Sequence, residues 1–132
     1  MLLTFLYTHC PDACPLTANR LNATLRSLGA ARSKVDVLAV SVDPTGDTPS
    51  SVRAFITQHR LLSEFHYLTA PRAVLAPIWA AYGVQSYAHA GDRVDHTLYT
   101  LLIDKHGYGR VLYDSNSPAA YIVHDTRLLL AA

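Results

Sequence analysis

An α/β fold, with a central mixed sheet and flanking helices, is what three features of this 132-residue sequence predict. Short apolar and β-branched runs alternate with longer stretches of helical periodicity, and that alternation implies parallel strands joined by right-handed crossovers. Two later runs are separated by a turn containing glycines, which adds an antiparallel edge. Half of the residues are hydrophobic and 16% are charged, enough apolar content for one buried core without disulfide support. Residues 1–132 therefore read as a single domain.

The first element is Leu2-Leu3-Thr4-Phe5-Leu6-Tyr7, a nearly continuous apolar run of strand length, as a buried central strand requires. A helix follows from about Cys14 to Leu28, with Leu16, Leu21, Leu25 and Leu28 as its apolar positions and Gly29 as its stop. Val35 to Val42 is a second β-branched strand, ended by Asp43-Pro44. Thr45 to Pro49 turns the chain, and Thr48 or Asp47 caps a helix that starts near Pro49, carries Val52, Phe55 and Ile56 inward and ends near Arg60. Phe65 to Leu68 is a short strand, and Ala73 to Tyr82 a short helix stopped by Gly83.

The polar stretch Gln85 to Asp95 reads as an exposed loop. Thr97 to Asp104 and Arg110 to Tyr113 form a hairpin across Lys105-His106-Gly107-Tyr108-Gly109. Ser117-Pro118 opens a last helix carrying Tyr121, Ile122, Leu128 and Leu129. The order β-α-β-α-β-α-β-β-α, with the only two cysteines directly after the first strand, is the layout of a thioredoxin-like fold.

The net charge of +1 and the absence of any block of like charges argue against a nucleic-acid or anionic-membrane surface. Met1 to Tyr7 is too short to span a membrane and lacks the charged leader of an export signal, so it reads as a strand.

Cys10 and Cys14, in Thr8-His9-Cys10-Pro11-Asp12-Ala13-Cys14-Pro15, carry the chemistry. A bond between cysteines this close would shut a very small loop and add little stability, so reactivity explains the pair better than stapling. A helix N-terminus supplies partial positive charge and unpaired N–H groups, both favouring thiolate. Pro11 keeps Cys10 out of helical geometry, while Pro15 is tolerated in the first turn. The pair is expected to be close, partly ionised and accessible to solvent. Two fates are open to it: ligation of a soft metal such as Cu(I), or disulfide chemistry.

A metal needs a further ligand, and seven histidines are candidates. His59, His66, His89, His106 and His124 read as surface or capping residues. His9 adjoins Cys10, but strand alternation points it to the other side. His96 differs because it immediately precedes the strand expected at Thr97, and in a thioredoxin-like fold that entry lies beside the cysteines.

Three segments, taken together and in this order, resemble the Sco/SenC family of copper-binding cytochrome c oxidase assembly factors. They are Thr4 to Pro15, with its C-x-x-x-C-P motif, Ser41-Val42-Asp43-Pro44-Thr45-Gly46-Asp47-Thr48-Pro49, and Val94-Asp95-His96-Thr97. The resemblance implies a monomeric copper metallochaperone that binds a copper ion through Cys10, Cys14 and His96. It implies delivery to the dinuclear CuA centre of cytochrome c oxidase subunit II, traffic with other copper chaperones, and a membrane-associated, extracytoplasmic location. Two thiolates and one imidazole suit trigonal Cu(I), whereas Cu(II) wants another ligand. Asp43 or Asp47 could supply that ligand or act behind the others, although as local residues they read as turn and cap positions.

The chain departs from the family pattern twice. Gly46 stands where an arginine is usual, and this sequence begins at the first core strand, where family members usually carry an N-terminal hairpin and an anchor ahead of it; it is expected to be either a fragment or a shortened member. The rival reading is a thiol–disulfide oxidoreductase acting through Cys10 and Cys14. Such enzymes usually place two residues between the cysteines and a proline where His96 stands. A peroxiredoxin does not fit the residues around either cysteine, and a structural zinc site would fall short of four ligands.

Overall fold

A computed structural model of the chain describes residues 1–11, 13–88, 94–96 and 98–132, with 86–88 and 94–96 described through their backbone alone. Seven strands and four α-helices follow in the order β1 (Leu2–Leu6), α1 (Ala13–Leu28), β2 (Val37–Ser41), α2 (Pro49–Gln58), β3 (Phe65–Leu68), α3 (Arg72–Ala81), β4 (Ser86–Ala88), β5 (Val94–His96), β6 (Thr100–Ile103), β7 (Gly109–Tyr113) and α4 (Ala119–Ala131). The main sheet has the strand order β3-β2-β1-β6-β7. β1 is parallel to β2 and β2 to β3, whereas β6 runs antiparallel to both β1 and β7. The expected mixed sheet and thioredoxin-like arrangement are present.

Every residue of β1 is buried, so both faces of this central strand are covered and its uninterrupted apolar run is explained. Buried Thr4 meets this condition by donating its hydroxyl to the Tyr99 carbonyl at 2.9 Å. The ladder pairs Leu6 with Ser41, so the loops leaving β1 and β2 emerge side by side at the same sheet end. β1 is also where the chain order reverses across the sheet, the place where open α/β sheets carry their sites.

In α1 the stripe facing the core runs through Cys14, Ala18, Leu21, Leu25 and Leu28. Leu16, expected on that stripe, is 62% exposed, because it lies five positions from Leu21 and five helical steps turn well away from one face. Gly29 takes φ +58° and stops the helix as expected, after which a 3-10 segment, Gly29–Lys34, leads to β2. α1 packs against α4, where Ile122 and Thr126 face inward while Tyr121 and Leu128 face solvent.

Thr48, and not Asp47, caps α2. Its hydroxyl accepts from Ser51 N at 3.1 Å, and Ser51 Oγ accepts from Thr48 N at 2.9 Å, closing a reciprocal box behind Pro49. The indole of Trp79 in α3 donates to the Ser41 carbonyl at 2.9 Å, pinning α3 to the end of β2.

The stretch expected as a loop, 85–95, instead carries strand at both ends: β4 and β5 pair antiparallel, with Ser86 opposite His96. Each strand has three residues, too few for alternation to be read in sequence, and the pairing itself defines them. β6 begins at Thr100, so His96 belongs to this small hairpin and does not immediately precede the core strand.

Candidate metal and thiol site

Tyr7, Thr8 and His9 leave β1, and the chain turns back when Cys10 N donates to the Tyr7 carbonyl at 3.3 Å. α1 begins at Ala13, so Cys14 is its second residue. The amide N–H of Cys14 donates to Cys10 Sγ at 3.3 Å. The first sulfur thus sits against a helix N-terminal donor, as the sequence anticipates. The two cysteines are adjacent and not joined in a disulfide.

Their environments differ from the expected symmetric pair. Cys10 is half-buried, whereas Cys14 is fully buried in the core cluster. The hydrogen bond with Cys10 is the largest influence holding the Cys14 thiol far above the ordinary thiol range, and burial adds to it. The Cys14 thiol is therefore held toward its protonated form in the metal-free protein. Expecting both thiols to be partly ionised and accessible fails for Cys14, because α1 turns it toward the sheet.

Beside this loop lies the turn after β2. Asp43 accepts from Gly46 N through Oδ1 at 3.1 Å, the turn role expected of it. Asp47 is different: 3% exposed, it accepts four hydrogen bonds from neutral donors. Oδ1 takes Thr8 N and Thr8 Oγ1, both at 2.8 Å, and Oδ2 takes Ser41 Oγ at 2.7 Å and the Tyr67 hydroxyl at 2.9 Å. Burial and the neighbouring Asp47 charge together push the Tyr67 phenol well above its usual range. Sequence reading missed this hub. The available signal was an aspartate directly ahead of a Thr-Pro cap, where a second capping residue is redundant.

Ligand atoms of His9, Asp43 and Asp47 come within 4.8 Å of one another, and His9 itself is exposed. Because both Asp47 oxygens already take two donors each, the His9–Asp43 pair is the open part of that group. Thr8 Oγ1 spends its hydrogen on Asp47, so His9 Nδ1, at 3.2 Å, is the donor in their contact. Gly46 is the hinge of the arrangement. A Cβ there would lie 2.2 Å from Asp43 Oδ2 and 3.3 Å from His9 Nδ1, so a side chain at this position would displace the Asp43 carboxylate.

His96 closes β5, and its imidazole lies outside the described residues, as do Asp12 and His89. Exposed His66 bonds Asp36 at 3.1 Å, and half-buried His59 is the C-cap of α2 with its ring tilted against Phe55, centroids 4.5 Å apart, which fits their reading as surface or capping residues.

A mixed sheet that offers a dithiol at the N-terminus of its first helix defines a thioredoxin-like protein with a soft-ligand or redox site. A family model described as SCO1/SenC matches residues 1–131, and the chain belongs to that family. It is 29% identical over 126 residues to a SCO2-like protein of Rickettsia conorii, covering 89% of this chain and 60% of the relative. It is 30% identical over 141 residues to the mitochondrial SCO2 homologue of Bos taurus, covering 100% of this chain and 52% of the relative. The chain thus spans about half to three-fifths of these relatives. Its structure is similar to that of Bradyrhizobium japonicum ScoI with copper bound, with a TM-score of 0.86 and 26% identity over 97% of this chain and 83% of that one. Among the described residues, no helix is long and apolar enough to cross a membrane.

Proposed function

We propose that this chain is a copper metallochaperone that takes up one copper ion through Cys10, Cys14 and His96 and supports assembly of the CuA centre of cytochrome c oxidase. The observation that carries the reading is the sulfur pair: Cys10 Sγ lies against the helix N-terminus, with the backbone N–H of Cys14 donating to it at 3.3 Å. Two thiolates are a soft donor set that favours Cu(I) over harder ions. Copper bound to the structurally similar ScoI supports copper as the ion taken up here. Copper is the cargo, and uptake displaces the Cys14 proton, so binding tightens as pH rises. In this reading His96 comes from the β4–β5 hairpin as third ligand, and Asp43, whose neighbour Asp47 has both oxygens taken by two donors each, is the carboxylate offered for the extra demand of Cu(II).

The adjacency of the sulfurs also favours a second reading, thiol–disulfide exchange through Cys10 and Cys14. A disulfide between them would remove both thiolates from copper, so the two uses compete. Titration of reduced protein against a chromophoric Cu(I) chelator separates the readings. One Cu(I) per chain is expected, abolished in Cys10→Ala and in Cys14→Ala, with His96→Ala weakening Cu(II) retention most. Absence of Cu(I) uptake, together with insulin reduction at a thioredoxin-like rate, would give the site to redox exchange.

A further inference from the structure

The two sulfurs are held by different means. Cys14 is set by core packing on the buried face of α1. Cys10 stands on the loop after β1, half-buried, with its N–H bonded inside the turn and its sulfur taking the Cys14 N–H of α1. Thr8, two residues ahead, gives both its N–H and its hydroxyl to one oxygen of Asp47. The other oxygen of the same carboxylate is gripped by Ser41 at the end of β2 and by Tyr67 in β3. The Asp47 backbone is tied as well: its N–H donates to the Asp43 carbonyl at 2.8 Å, and its carbonyl accepts from Thr69 Oγ1 at 3.2 Å.

We propose that Asp47 is a positioning residue, a buried carboxylate that fastens the Cys10 loop to β2 and β3 through Thr8 and so sets the placement of Cys10 Sγ against Cys14. One oxygen faces the scaffold and the other faces the loop, so the carboxylate is a bracket between them. Hydrogen bonds to an ionised acceptor are stronger than neutral ones, and two from one residue fix direction as well as distance. An asparagine would offer one acceptor oxygen for four donors and would break the bracket on one side. A dithiol gains its affinity from holding its second sulfur at high effective concentration, and loosening the loop lowers exactly that quantity. The inference rests on the two-cysteine site proposed above, but its first readout needs no metal.

The test is the equilibrium of the Cys10–Cys14 disulfide with glutathione, measured on the full chain beside thermal unfolding. In that exchange the protein dithiol gives two electrons and two protons to glutathione disulfide, so the Cys10–Cys14 bond forms as the glutathione S–S bond breaks into two thiols, and the constant reports the effective concentration of one thiol at the other. Thr8→Val removes the hydroxyl bond and should lower the constant about tenfold, whereas Thr8→Ser should keep it within twofold of the parent. Asp47→Asn should lower it at least as far. Ser41→Ala and Tyr67→Phe remove scaffold-side donors while leaving both Thr8 bonds, and should lower the unfolding temperature with a smaller change in the constant. The idea is overturned if Thr8→Val leaves the constant within twofold of the parent, or if Tyr67→Phe shifts it as far as Thr8→Val does. Cu(I) loss to the chelator, run on the same proteins, should quicken in Thr8→Val. A parent chain that takes up no copper while the glutathione series behaves as stated removes the copper reading and leaves the bracket standing.

Discussion

The two ends of the central sheet treat buried polar groups in opposite ways. Where the loops leave β1 and β2, the buried Asp47 carboxylate has four donors, and Ser41 and Tyr67 are both engaged by it. At the other end, a cavity of about 270 Å³ opens among Leu102, Ile103, Thr126 and Leu129. There the Thr126 hydroxyl, although buried, has no hydrogen-bond partner among the described residues. One end is a satisfied polar network, and the other is a groove of apolar residues rimmed by Lys34, Asp104 and Lys105 with one buried hydroxyl unmet among the described residues. At the cysteine end a single shared acceptor ties the β1 loop to β2 and β3.

The comparison breaks most visibly at Asp47. Asp47→Ala leaves four donors without their acceptor, and a loss of about 2–4 kcal/mol in unfolding free energy is expected by chemical denaturation. A loss below about 0.5 kcal/mol would mean that water replaces the carboxylate freely and that the network is ornamental.

A second effect is set by pH. The folded state raises the Cys14 thiol above its unfolded value, so the stabilisation is complete below the ordinary thiol range and is lost as pH rises above it. Unfolding free energy of the reduced, metal-free protein should fall above about pH 8.5, by up to about 1.4 kcal/mol per pH unit. Tyr67, raised as well, joins only from about pH 10 upward. Cys14→Ala should flatten the profile between those two points, and an unchanged slope there would assign the alkaline loss to other groups.

The smallest effect belongs to the opposite end. Thr126→Val exchanges an unpaired buried hydroxyl for a methyl of similar size, so stability should stay level or rise by about 1 kcal/mol at most. Destabilisation beyond that in a melting curve would show that the hydroxyl is satisfied in solution and would narrow the contrast between the two ends.

Much of this was legible in the residues. The apolar run of β1, the Val-rich β2 and the Thr48-Pro49 start of α2 are local signals, and each element formed where its signal lay. The β4–β5 hairpin was hidden because three-residue strands carry no period of their own. Leu16 was misplaced because an apolar residue five positions from Leu21 looks helical in composition while facing another way.

Sequence by itself determined the dithiol, its place between a strand and a helix, and the family, since spacing and element order are properties of the chain. Tertiary structure alone decided that Cys14 is buried, with its thiol held above the ordinary range, while Cys10 is half-buried, and that Asp47 is a four-donor anchor while Asp43, four residues earlier, remains beside exposed His9. The reason is that burial and shared hydrogen bonds depend on which strands become neighbours, and β1 meets β2 only once α1 has carried the chain across.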